Sequence, residues 1–126
     1  MTLLVAYSRT AEGEAALEQG RDLAARLQYP VVVFDLEGRP TGDDRHLTPP
    51  HGIAREDERW VGPPASAPAP AEDLLDTAQE LDVAMIVVGV RRRSPVGKFL
   101  MGSQAQSILL GASVPVVAVK AGGSGR

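Results

Sequence analysis

The sequence predicts an α/β fold: one doubly wound domain whose mostly parallel five-stranded sheet, in the order 3-2-1-4-5, carries helices on both faces. Two observations predict it. Short runs rich in β-branched residues are continuously apolar, as is typical of parallel strands covered on both faces. Amphipathic segments lie between these runs, and such alternation is typical of right-handed βαβ units. A length of 126 residues suits one hydrophobic core.

The first part of the chain is predicted to form strand, helix and strand. Residues 3–6 and residues 30–34 are the two apolar runs. The segment from Ala11 to Leu27 between them is predicted as a helix, which Thr10 is suited to cap. Acidic residues suit the first turn of this helix, and small or apolar residues recur along one stripe: Glu12 and Glu14, then Ala16, Gly20, Leu23, Ala24 and Leu27.

The middle of the chain is polar or proline-rich. Residues 37–58 lack a helical stripe, so we expect a long or partly mobile loop. Residues 59–61 are predicted as a minimal strand. Residues 62–70 (GPPASAPAP) are predicted as an extended connector, with a ligand for a proline-binding domain as the weaker alternative. We assign residues 1–121 to the domain, including the loop region 37–70, and residues 122–126 to a flexible tail.

The last part of the chain continues the alternation. Residues 70–81 are predicted as a helix that begins at Pro70, and residues 85–88 as a strand. A short helix over residues 103–110 is expected to end at Gly111 in a left-handed cap. The last strand is expected to run from Val114 to Val119.

Composition limits the function classes. Cysteine is absent, which excludes disulfides and thiolate sites and suits a reducing compartment, and no secretory or membrane-spanning segment is recognisable. We therefore expect a soluble, cytoplasmic protein. His46 and His51 lie in the polar loop without a helix or cysteine partners, so we expect no zinc pair.

The charge is distributed unevenly. The net charge is −3, but all sixteen acidic residues lie at or before Asp82, and the segment from Val83 onward carries six basic residues and no carboxylate. Four of these six lie in the stretch GVRRRSPVGKFLMGS, from Gly89 to Ser103. Such a segment favours a small anionic ligand, with a solvated basic loop as the alternative. The acidic chain as a whole argues against nucleic-acid binding.

The ends of two predicted strands place polar groups together. If the first strand is central, Ser8 and Thr10 meet Gly89 and Arg91 at the carboxyl edge of the sheet, where doubly wound folds bind ligands. The Gly102–Ser103 pair opens the last helix, whose free N–H groups favour an anion. The alternative is that these glycines only permit turns and the serine only caps. A Walker A loop is excluded because Arg92 and Phe99 occupy required positions, and no G-x-G-x-x-G motif follows the first strand.

The run MIVVGVRRRSPVGKFLMGS, followed by SVPVVAV, resembles the carboxyl-terminal signature of the universal stress protein family. Nucleotide-binding members carry the pattern G-x2-G-x9-G-[ST] there. LLVAYSRT with EAAL resembles the family's opening strand and helix, and PAEDLLDTA resembles its penultimate helix. The resemblance covers most of the chain except residues 38–58, where the family usually has a further helix.

This resemblance implies an adenine nucleotide as ligand, with ATP ahead of AMP or ADP because the arginines favour more phosphate charge, and with or without magnesium. Arg92 replaces the second glycine of the pattern, where its guanidinium either obstructs or clamps phosphate, and Ser8 replaces an aspartate. The residues implied in binding surround the ligand from the strand ends and the last helix: Ala6, Tyr7, Ser8, Phe34, Val88, Gly89, Arg91, Arg92, Gly102, Ser103 and Gln104.

The function implied is a binding module in stress response or regulation, dimerising through the strand from Val114 to Val119. A protein-interaction module with a vestigial pocket, in which Arg91 to Arg93 contact an acidic partner, is the alternative. The third interpretation is a weak ATPase, in which an acidic residue of the mobile loop completes a magnesium site only when nucleotide is bound. Its turnover should be slow, since neither a base nor a nucleophile is recognisable for efficient catalysis.

Overall fold

The computed structural model describes residues 1–38, 53, 55, 57–63, 69–92, 99–100 and 102–121, with the backbone only of Arg92, Phe99 and Leu100. Most of the predicted polar loop and proline-rich connector, residues 93–98 and the tail 122–126 lie outside these ranges. The elements in chain order are β1 (Leu3–Tyr7), α1 (Ala11–Leu27), β2 (Val31–Asp35), β3 (Glu58–Val61), α2 (Pro70–Glu80), β4 (Met85–Arg92), β5 (Phe99–Leu100), α3 (Ser103–Gly111) and β6 (Val116–Ala121).

Five strands form a parallel sheet in the spatial order β3-β2-β1-β4-β6, and β1 lies at its centre. Val5 pairs with Val33 on one side and Val87 on the other. This confirms the predicted α/β class and the order 3-2-1-4-5 of the five predicted strands. The two-residue β5 adds an antiparallel pairing to the end of β4, with Arg91 opposite Leu100.

The continuous apolar runs are explained by helices on both faces. Successive residues of a strand point to opposite faces, so Leu3 and Val5 pack with α1 residues, whereas Leu4 and Ala6 pack with α2 and α3. Helix α1 contributes a stripe of small and apolar residues to the first face: Ala16, Leu17 and Ala24. On the other face, α2 and α3 contribute Ala71, Leu74, Ala78, Ala105 and Ile108. No described helix is long and apolar enough to cross a membrane.

The helix ends confirm one predicted cap and correct another. Thr10 Oγ1 accepts a hydrogen bond from the Gly13 N–H at 3.1 Å, as expected for an N-cap. The left-handed cap predicted at Gly111 is wrong: Gly111 is the last residue of α3, and the cap residue Ala112 is extended, at φ −72° and ψ 140°. A left-handed cap is found instead at the end of α1, where Gln28 has φ 60°.

The strand bounds also differ from the predicted ones. β4 does not end at Val88 but continues through Arg92, because β6 pairs with it as far as Arg91 and β5 pairs with its last two residues. β6 begins at Val116 rather than Val114. Pro115 cannot donate a hydrogen bond, and its carbonyl instead accepts one from the Ile86 N–H at 3.0 Å.

Candidate functional site

A cleft of about 230 Å³ opens at the carboxyl ends of β1 and β4. The amino-terminal turns of α1 and α3 also border it. The connections that follow these two strands lead in opposite directions, since β1 is followed by β2 on one side of the sheet and β4 by β6 on the other. Open α/β sheets bind their ligands at such a point.

Seven of the residues predicted for the site line this cleft. They come from the ends of two central strands and from the start of the last helix: Ala6, Ser8, Val88, Gly89, Gly102, Ser103 and Gln104. The fold therefore brings together chain segments that are far apart in the sequence. Their part in ligand binding stays a prediction.

Two aromatic residues predicted for the site lie elsewhere. Tyr7 is fully buried on the α1 face, where its ring meets Trp60 edge to face with centroids 5.3 Å apart. Phe34 is fully buried in the core beneath α2 and α3 and does not line the cleft. The alternation of a strand explains Tyr7, because Ala6 and Tyr7 must face opposite sides.

The two arginines of the predicted site differ in how far they are described. Arg91 is exposed at the end of β4, and its Nε lies 3.4 Å from Glu12 Oε1. The Arg92 backbone belongs to β4 and pairs with Phe99, while its side chain lies outside the described atoms. The position predicted to replace a family glycine is therefore part of a strand rather than of a loop.

The start of α3 presents free backbone donors to the cleft. Gly102 is its N-cap, at φ −63° and ψ 165°, and no described side chain caps the helix. The first intrahelical bond joins the Gln106 N–H to the Gly102 carbonyl at 3.0 Å. The N–H groups of the first turn, together with the Ser103 hydroxyl, can therefore bind an anion, which the helix dipole favours.

Packing explains one of the two glycines of the site but not the other. A Cβ on Gly89 would overlap the carbonyl group of Glu12, so this glycine is required by the packing of α1 on β4. A Cβ on Gly102 would meet no described atom within 4 Å, and the backbone angles of Gly102 are open to any residue. Packing among the described residues therefore does not explain the glycine at position 102.

Hydroxyl groups cluster at the start of α1. Ser8 Oγ lies 2.7 Å from Thr10 Oγ1, which in turn accepts from the Gly13 N–H. Both residues line the cleft. Each hydroxyl can donate and accept, so the pair can exchange its internal hydrogen bond for one to a polar ligand.

Two carboxylates that sequence reasoning did not assign to the site also line the cleft. Glu12 comes from the first turn of α1, and Glu37 follows β2. Glu37 Oε1 accepts from the Arg9 N–H at 2.7 Å, and the Glu37 N–H donates to Asp35 Oδ1 at 3.0 Å. The sequence signal for Glu37 was its position just after β2, the strand next to β1. Glu12 gave no such signal, because an acidic residue in the first turn of a helix is usually interpreted as a partner of the helix dipole.

A metal site is not evident in the described ranges, where no three His, Asp or Glu side chains are placed to bind an ion together. The carboxylates of the cleft are instead engaged with Arg9 and Arg91.

Comparison with known proteins identifies the family of this chain. The sequence profile of the universal stress protein family matches residues 43–120. The chain is also 34% identical over 131 residues to a universal stress protein of Mycolicibacterium smegmatis, a match covering 94% of this chain and 96% of the relative. The chain belongs to the universal stress protein family.

Solved structures of the family share the fold. A universal stress protein from Archaeoglobus fulgidus is 25% identical, with a TM-score of 0.63 over 95% of this chain and 98% of that one. A structure of the universal stress protein from the same organism in complex with dAMP is 20% identical, with a TM-score of 0.59 over 95% and 98% of the two chains.

Proposed function

We propose that this universal stress protein is a binding module for an adenine nucleotide in stress response or regulation, and that the cleft is its binding site. The observation that carries the proposal is the uncapped start of α3, where Gly102 leaves space at the position of an absent Cβ. A phosphate oxygen needs such a close approach to backbone N–H groups. The dAMP complex of the Archaeoglobus fulgidus protein supports the choice of ligand.

The lining divides into parts with different chemistry. Phosphate would bind at Ser103 and the free N–H groups of α3, and the base would pack against Ala6, Leu36 and Val88. The hydroxyls of Ser8 and Thr10 would take ribose. We propose ATP ahead of AMP or ADP, since arginines favour phosphate charge.

Titration calorimetry of nucleotide-free protein with ATP, ADP and AMP, with and without magnesium, tests this proposal. Gly102→Val should abolish binding, because its side chain would fill the space of the phosphate. Ser103→Ala should weaken binding by about tenfold, which corresponds to the loss of one hydrogen bond to a charged group. Ser107→Ala, an exposed serine one turn further along α3, is the matched control and should bind like wild type.

The alternative is a protein-interaction module with a vestigial pocket, and Ser8 in place of the family's aspartate favours it. Folded wild-type protein that binds none of the nucleotides would reject our proposal and leave this alternative. Equal affinities for wild type and Gly102→Val would place the nucleotide elsewhere on the protein.

We further propose that the protein acts in the cytoplasm and forms a homodimer through its last strand. β6 pairs with β4 along one edge, and no described strand pairs with its other edge. An apolar edge strand is a ready template for a second chain.

A further inference from the structure

An acidic and a basic side chain meet at the edge of the cleft. Glu12 Oε1 lies 3.4 Å from Arg91 Nε, and this oxygen is buried without a hydrogen bond to any described group. The contact is therefore an ion pair that lacks hydrogen-bond geometry. The Glu12 side chain as a whole is 28% exposed, and Glu12 lines the cleft. The same carboxylate thus contacts Arg91 and contributes its charge to the cleft.

The fold explains why these two residues meet. Gly89 has no side chain, so the first turn of α1 lies directly against β4 at Glu12. Arg91 is two residues further along β4, and side chains two residues apart point to the same face of a strand. Packing at Gly89 therefore brings the Glu12 carboxylate to Arg91.

This pair changes the electrostatics of the cleft. Arg91 is one of the cations that the sequence assigned to phosphate, and Glu12 neutralises it. Glu12 also repels phosphate directly. In a cleft of about 230 Å³, a ligand charge lies well within the Debye length of about 10 Å at 0.1 M salt, so its interaction with Glu12 is only partly screened.

We propose that Glu12 is a specificity-determining residue that limits the preference of the cleft for nucleotides with more phosphate charge. It acts by holding Arg91 and by repelling each additional phosphate. This inference rests on the proposed function. Because ATP carries about two more negative charges than AMP at neutral pH, Glu12 should disfavour ATP more than AMP.

Calorimetric titration with AMP and with ATP, in magnesium-free buffer at low ionic strength, tests the inference. Glu12→Gln removes the charge and keeps the shape. We expect it to raise the affinity for ATP by roughly three- to tenfold more than the affinity for AMP. Raising the salt concentration should reduce this difference.

A double-mutant cycle separates the two effects of Glu12, which are its ion pair with Arg91 and its direct repulsion of phosphate. Arg91→Gln should lower ATP affinity, and the gain from Glu12→Gln should be smaller in the Arg91→Gln background, because no guanidinium remains to be released. Glu18→Gln is the matched control: Glu18 is exposed on the same helix, does not line the cleft, and should leave the ratio of ATP to AMP affinity unchanged.

An equal change for AMP and ATP, or none, in Glu12→Gln would overturn this inference while leaving nucleotide binding intact. Failure of every variant to bind either nucleotide, with normal urea unfolding curves, would overturn the proposed function and this inference together. A change of similar size in the ratio of ATP to AMP affinity for Glu18→Gln would show that the effect comes from the net charge of the protein. That result would also overturn the inference.

Discussion

The phenol of Tyr7 donates a hydrogen bond to Glu14 Oε2 at 3.0 Å, on the face of the sheet that packs against α1. Burial, followed by the hydrogen bond and charge of Glu14, raises the pKa of Tyr7 from 10.0 to about 12. Tyr7 thus belongs to the core, although its neighbour Ala6 lines the cleft.

Ionisation of Tyr7 should make the folded protein less stable at alkaline pH. The native state holds the neutral phenol, so its contribution is complete below pH 10 and is lost as pH rises from 10 through about 12, by about 2–3 kcal/mol. Urea unfolding measured between pH 9 and about 12 checks this, and Tyr7→Phe should flatten that part of the profile. An unchanged slope in Tyr7→Phe would contradict the prediction.

Arg21 and Glu58 should contribute strongly to stability. Arg21 Nη2 donates to Glu58 Oε1 at 2.7 Å and to the Ile53 carbonyl at 2.6 Å, and the side chains are only 14% and 3% exposed. Glu58→Gln leaves a largely buried cation without its counter-charge, which should cost about 2–4 kcal/mol in urea unfolding at pH 7. Asp22→Asn, which removes the exposed partner of Arg26, should change stability by less than about 0.5 kcal/mol. Similar costs for both variants would contradict the burial argument.

The same ion pair should make stability depend on acidic pH. Burial opposes ionisation of Glu58, but the hydrogen bonds and charge of Arg21 outweigh it and hold the pKa of Glu58 below its usual 4.5. The contribution is therefore present above pH 4.5 and is lost as pH falls through the lower native value. Thermal unfolding of wild type and Glu58→Gln should converge on acidification, and a constant difference in Tm would exclude this linkage.

Alanine should destabilise the protein at position 89 but not at position 102. Gly89→Ala places a methyl group against the Glu12 carbonyl and should destabilise the protein by about 1–3 kcal/mol or more. Gly102→Ala meets open space and should stay within about 0.5 kcal/mol of wild type. Chemical unfolding of both variants measures this, and a large loss in Gly102→Ala would show that position 102 is structurally constrained.

We expect the exposed edge of β6 to mediate the proposed dimerisation. Sedimentation equilibrium of wild type should give twice the chain mass of 13.3 kDa. Ala118→Lys places a charge at an exposed position of this strand and should shift the equilibrium toward monomer. Ala25→Lys, exposed on α1, is the control. A monomeric wild type at all accessible concentrations would reject the dimer.

The sequence was sufficient for the features that depend on local patterns. The α/β class and the parallel sheet followed from apolar runs that alternate with amphipathic segments. Thr10 was recognised as a cap because its role involves a neighbour three residues away. The end of β4 was missed because Arg91 and Arg92 are held in a strand by residues 99–100, and such pairing is not visible in an apolar run. Gly111 failed as a cap because the chain leaves α3 in an extended conformation at Ala112.

Part of the candidate site could also be predicted from local patterns in the sequence. Glycines and hydroxyls at strand and helix ends indicated the cleft, because topology fixes where those ends lie. The sequence did not indicate that Glu12 would pair with Arg91, since their meeting depends on the depth at which α1 packs against Gly89. Tyr7 was assigned to the site through the family resemblance, which depends on position along β1 and not on the face to which the side chain points.

The pairing of β1 with β4 also has a consequence for the order of folding. Leu3 pairs with Met85, so this seam joins segments about eighty residues apart, and closing so large a loop is entropically slow. The cleft lies across this seam and needs α3, which is later still in the chain. During synthesis, β1 can therefore pair with β2 early, but it can pair with β4 only after most of the chain has left the ribosome. A ligand of the cleft can stabilise only a molecule that has completed this last closure.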